Sequence, residues 1–113
     1  MAHRNLDVLD AAERMVDGIN KLIERYPRRL LHVAQLRASA QAVAANIGEA
    51  FGKRSWKNRA KSLDIARGEA EEAIRHLAAN FRANRITPKE YWPLHNMLVV
   101  ISKMLASMLR NGG

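Results

Sequence analysis

TPKEYWPLHNMLVVISKMLASM, residues 87–108, opens with a helix start spelled out in full and continues with apolar residues at helical spacing. Thr87 is an N-cap, Pro88 occupies the first helical position where a missing amide costs nothing, and Glu90 completes a capping box. Behind this start run two interleaved series seven residues apart, Tyr91–Leu98–Leu105 and Leu94–Ile101–Met108. Such a seam is what helices need to pack side by side at a shallow angle. The segment therefore predicts one helix of an antiparallel bundle, over about 88–110.

The same grammar extends backward along the chain. Trp56, Leu63, Ala70 and Leu77, flanked by Ala66, Ala73, Ile74 and Phe81, make a third helix of about 56–83, with Ser55 as its N-cap. Val33, Ala40, Ile47 and Leu36, Val43, Ala50 make a second, about 30–51, closed by Gly52 as a left-handed C-terminal residue. Leu9, Val16, Ile23 and Ala12, Ile19, Tyr26 make the first, about 6–26, which Pro27 ends. All three connections are a few residues long, so neighbouring helices must be antiparallel. The expected architecture is all-α, an up-down-up-down four-helix bundle, with the 113 residues forming one domain.

Composition narrows the functional classes. Cysteine is absent, which excludes a disulfide framework and thiolate metal sites. The N-terminal residues carry acids, wrong for a secretory signal, and no apolar run is long enough to span a bilayer, so the chain is expected to be cytoplasmic with no membrane partner. Net charge is +8 and lopsided: residues 1–52 hold seven Lys/Arg against six Asp/Glu, a net of +1, whereas residues 53–113 hold twelve against five, a net of +7. Such asymmetry suggests a polyanionic partner, against the plainer reading of solubility alone.

Antiparallel topology turns the charge list into geometry. One bundle end collects Arg25, Arg28, Arg29, Arg82, Arg85 and Lys89; the other collects Lys53, Arg54, Lys57, Arg59 and Lys61, with Arg4 and Arg110 from the chain termini. The 53–61 cluster is the more informative, because cations at a helix N-terminus oppose the macrodipole. Trp56 inside it suits base stacking, although its seam position suits a core anchor better. Helices two and four also carry more apolar surface than one bundle needs. Leu31, Ala38, Ala45, Ala34 and Ala44 lie off the seam of helix two, and Met97, Val99, Val100, Met104 and Leu109 lie off that of helix four. Burial of this surface against further copies of the chain is expected.

Catalytic chemistry is not written in the chain. No HExxH, P-loop, GxSxG or dinucleotide fingerprint occurs, and none of His3, His32, His76 and His95 follows a glutamate at the Glu-x-x-His spacing of dinuclear metal bundles. The chain is expected not to be an enzyme and to hold no metal or cofactor. Glu72 and His76, four residues apart, read as a surface hydrogen bond. Asn46 and Glu49 read as structural polar residues, with Glu49 reaching Lys57 or Lys61 and Asn46 bonding across helices to fix register.

Ala44-Ala45-Asn46-Ile47-Gly48-Glu49-Ala50-Phe51-Gly52-Lys53-Arg54-Ser55, then Leu63-Asp64-Ile65-Ala66-Arg67-Gly68 and Glu72, resemble the bacterial four helix bundle protein family. That family includes S23-like proteins encoded in intervening sequences of 23S ribosomal RNA genes, and the resemblance spans nearly the whole chain. Gly48 and Ala50 invert the family's usual order, Ala44 replaces a proline, Lys53 an arginine and Glu69 a serine, and an acidic position near Ile74 is lost, marking a divergent member. The resemblance implies a ring-shaped homo-oligomer, a pentamer. The accessory protein of diversity-generating retroelements is similar in architecture and uses a basic surface for nucleic acid. Two functional readings follow: a homo-oligomer associated with structured RNA through its basic ends, or a protein-interaction scaffold that binds no nucleic acid.

Overall fold

The computed structural model describes residues 5–112, which form α1 (Asn5–Arg25), α2 (Val33–Phe51), α3 (Trp56–Arg82) and α4 (Pro88–Arg110), with no strand among them. Each helix packs on its sequence neighbours, α1 also packs on α4, and the backbones of the diagonal pairs stay apart across the shared core. The result is an antiparallel bundle whose 43 Å long axis is close to the roughly 40 Å that the 27 residues of α3 span at 1.5 Å per residue.

The core lies along the axis. Leu36, Ala40, Val43, Ile47 and Ala50 of α2 meet Leu63, Ala66, Ala70, Ala73 and Leu77 of α3, while Tyr91, Leu94, Leu98, Ile101 and Leu105 line the inner side of α4. These are the expected seams. That of α1 differs: Ala12, Ile19 and Ile23 are buried as expected, but Val8, Met15 and Leu22 fill the centre, and Leu9 and Val16 are half-buried beside it. Because α1 is apolar over more than one stripe, heptad spacing alone does not say which stripe faces the diagonal.

The first turn departs from the sequence reading. Helix two was expected from about residue 30, yet it starts at Val33, and His32 sits at φ 54, ψ 41 in the left-handed region. Asn80 of α3 is the reason. Its side chain is fully buried; Oδ1 accepts from the Leu31 amide at 2.6 Å, and Nδ2 donates to the Leu31 carbonyl at 3.1 Å and to the His76 carbonyl at 2.9 Å. An apolar run with helical propensity is thereby held as a loop, both sides of Leu31 satisfied by one amide.

Gly52 is also corrected. It caps α2 at φ −85, ψ −8, in the right-handed region, so it is not the expected left-handed residue. That device appears instead at the end of α3, where Asn84 takes φ 57. Arg85 N donates to the Asn80 carbonyl at 2.8 Å and Asn84 N to the Phe81 carbonyl at 3.0 Å, the paired bonds of a Schellman motif. The start of α4 is as read, with Pro88 in the first turn and a complete Thr87–Glu90 capping box. Ser55 accepts from the Asn58 amide at 3.2 Å, as an N-cap should.

The two apolar excesses resolve differently. On α2, Ala34, Ala38, Ala45 and Gly48 are exposed. On α4, Met104 is buried and Met97, Val99 and Leu109 are half-buried, so most of that excess is absorbed within one chain; Val100, 52% exposed, is the exception. No helix is long and apolar enough to cross a membrane among the described residues.

Candidate nucleic-acid interface

The antiparallel fold does gather the cations at two ends, but it commits several of them to structure. At the end formed by the first and third turns, Arg29 Nε donates to the Arg85 carbonyl at 2.9 Å and Nη2 to the Asn84 carbonyl at 3.0 Å, while Arg85 Nη1 returns to the Arg29 carbonyl at 3.3 Å. The two guanidinium groups thus lace the turns together. Arg25 lies 3.1 Å from the Glu90 carboxylate. Arg28, Arg82 and Lys89 are exposed and pair with no carboxylate among the described residues.

Glu90 is the acid of this end, and it is fully engaged. Oε2 accepts from Tyr26 Oη at 2.7 Å and from Arg25; Oε1 accepts from the Thr87 amide at 2.9 Å and the Thr87 hydroxyl at 3.0 Å. Burial pushes the carboxyl up, and these donors together outweigh it, holding Glu90 at about 2 against an ordinary 4.5. The same hydrogen bond raises the Tyr26 phenol. An open groove of about 600 Å³ between α1 and α4 ends here, lined by Gly18, Lys21, Leu22, Glu24, Arg25 and Leu94. Its engaged carboxylate stays ionised at neutral pH, so it serves as a helix cap and not as a proton carrier.

At the opposite end, Lys53 pairs with Glu49 at 3.3 Å, so the expected pairing of Glu49 with Lys57 or Lys61 is replaced by one with a residue four positions on, in the turn just past α2. Arg59 Nη2 donates to the Lys53 carbonyl at 2.9 Å, tying α3 back to the end of α2. Arg54, Lys57 and Lys61 remain exposed and unpaired among the described residues, and the first turn of α3 contains no acid. Arg110 is exposed nearby in topology; Arg4 lies outside the described residues.

The polar residues read as register pins behave otherwise. Asn46 Nδ2 donates to the Ala42 carbonyl at 2.8 Å, one turn back in its own helix, and so does not bridge helices. The pin is Asn80, which ties α3 to the first turn, and its single signal in sequence is a polar residue at a seam-adjacent position of an otherwise apolar stripe. Glu72 pairs with Arg75 and lies 3.0 Å from His76 Nε2; the Arg75 hydrogen bond, ahead of other causes, lowers its carboxyl. It belongs to neither basic end. Among the described residues no group of three His, Asp or Glu is placed to hold a metal.

Aromatic residues add a feature the charge pattern did not reveal. Trp56 is half-buried against the core, which suits the anchor role. Trp92, by contrast, is 47% exposed beside Phe81, Tyr91 and His95 on the α3–α4 side of the first end.

The bundle has a close structural counterpart. A protein of unknown function from the S23 ribosomal protein family of Bacteroides thetaiotaomicron VPI-5482 superposes with a TM-score of 0.85 at 26% identity, over 91% of this chain and 98% of that one. No curated protein matches the chain. Residues 4–107 match the 23S rRNA-intervening sequence protein family. With the match covering nearly the whole bundle and the central Asn46–Ser55 motif inside it, the chain belongs to the 23S rRNA-intervening sequence protein family.

Proposed function

We propose that this protein is a non-catalytic homo-oligomer that associates with structured RNA through its basic bundle ends. The observation carrying the reading is the trio Arg54, Lys57 and Lys61, left exposed at the start of α3 with no carboxylate to answer them. Cations there oppose the helix dipole, so they weaken the free protein and are compensated when phosphates arrive. Membership in a family named for 23S rRNA intervening sequences is in keeping with an RNA partner.

Assembly is the second half of the reading. The exposed Ala34, Ala38, Ala45 and Gly48 give α2 an outer face of small residues on which another copy can approach closely. A ring, the pentamer that the family resemblance implies, repeats each weak phosphate contact around the assembly and so multiplies affinity. Light scattering is then expected to return about five times the 12.7 kDa of one chain.

The test is RNA binding followed by fluorescence anisotropy across a salt series. Wild-type affinity is expected to fall steeply with salt, and the triple variant Arg54→Glu, Lys57→Glu, Lys61→Glu to lose binding with a shallower slope. Unchanged affinity in that variant refutes the reading. The same α2 face favours a second reading, a protein scaffold: an assembled protein that holds no RNA at physiological salt and captures a protein partner would establish it.

A further inference from the structure

Trp92 stands out among the aromatic residues of the bundle because close to half of its surface is open while its position is firmly held. Tyr91, Phe81 and His95 surround it at centroid distances of 4.9, 5.9 and 5.1 Å, with their planes at 71°, 71° and 73° to the indole. Phe81 and Tyr91 are themselves stacked in parallel at 4.2 Å, which ties the group to the core through the buried Tyr91. Three edge-on rings fix the indole plane and still leave a broad part of it in water. Orienting an aromatic ring in this way removes the entropy cost of doing so when a ligand arrives.

The setting is cationic. Lys89 precedes Trp92 by three residues on the same face of α4, and Arg82 follows Phe81 at the end of α3. Both are exposed without a carboxylate partner among the described residues. Glu90, the adjacent acid, is only 12% exposed and its oxygens are taken by Thr87, Tyr26 and Arg25. An open, pre-oriented ring at the same bundle end as free cations is the combination that binds single-stranded nucleic acid, the ring stacking a base and the cations taking phosphates. An apolar protein partner would have no use for those charges.

We propose that Trp92 is a stacking platform for an unpaired nucleobase, with Lys89 and Arg82 contacting phosphates of the same strand. The inference rests on the RNA-association reading and extends it: the α3 start meets phosphates of any RNA, whereas this site selects single-stranded or looped segments. The experiment uses a Trp56→Phe variant, so that Trp92 alone reports. Its fluorescence is followed as a short unstructured oligoribonucleotide or a perfect RNA duplex of equal length is added at fixed salt. The oligonucleotide is expected to quench Trp92 and the duplex to leave it unchanged. In the otherwise wild-type chain, Trp92→Leu is expected to weaken oligonucleotide binding by roughly 5- to 150-fold, the span of one stacked base, with Trp92→Phe intermediate and duplex binding retained. Equal oligonucleotide affinity in Trp92→Leu, with duplex binding intact, overturns the platform and spares the RNA reading. Absence of binding to either RNA by the wild type overturns both. A lower assembly mass in Trp92→Leu shows the indole to be a contact between copies, and overturns the platform as well.

Discussion

Asn80 is a fully buried polar residue with three hydrogen bonds, and it holds the first turn in place. It replaces the helical partners that Leu31 lacks, and it does so from a site with no access to water. Asn80→Leu keeps the branched shape at a somewhat larger volume and removes every bond, leaving the half-buried Leu31 amide and carbonyl unpaired. Two orphaned groups at about 1–3 kcal/mol each set an upper range of roughly 2–6 kcal/mol, read as a shift in the urea unfolding midpoint. Glu90 makes a pH-dependent contribution at the same end. Its carboxyl is held at about 2 in the fold against 4.5 when free, so its stabilisation is complete above about 4.5 and is lost as pH falls from there through 2. Thermal melts between pH 2 and 6 should show this slope, and Glu90→Gln should flatten it while lowering the melting temperature at pH 6.

At the scale of the helix, α3 sets its own electrostatics against itself. Lys57 and Lys61 sit at or near an N-terminus whose amides already project positive charge. Replacing Lys57 with Glu is expected to stabilise the bundle by about 0.3–1 kcal/mol at low salt, even as RNA affinity falls. Opposite movement of the two quantities separates a binding role from a folding role, since a structural lysine would lose both. Helix boundaries were legible where local chemistry decides them: Thr87, Pro88 and Glu90 start α4, Ser55 starts α3, and Pro27 follows α1. They were illegible where a distant side chain decides. Nothing near Leu30–His32 announces that Asn80, 49 residues on from Leu31, will hold that peptide out of the helix. Asn84 was legible in principle, because asparagine tolerates the left-handed conformation after a helix end.

Across the whole molecule, charge position followed from topology and charge availability did not. Short turns told which cations share an end, but only the packed turns reveal that Arg29, Arg85 and Arg59 face backbone carbonyls and that Lys53 faces Glu49. The seam position of Trp56 told its anchor role, whereas nothing in the sequence marked Trp92 as the exposed aromatic. Trp56 lies within the basic run and Trp92 outside it in sequence, yet the fold half-buries the first and opens the second. Assembly is a property of this scale. Ala45→Glu puts a charge on the outer face of α2 without touching the core, so one bundle should fold as before, with unchanged helicity. Light scattering of the variant should return the mass of a single chain if that face joins copies.

The lacing of the first and third turns has a further effect. A carbonyl is a dipole and not an ion, so the bonds that fasten Arg29 and Arg85 leave both positive charges uncancelled, unlike the neutralised pair of Arg25 and Glu90. That surface therefore keeps its field while its guanidinium forks are engaged with backbone carbonyls. It draws an anion from within a Debye length, about 8 Å at physiological salt, and leaves the holding to neighbours whose side chains are still free to reach.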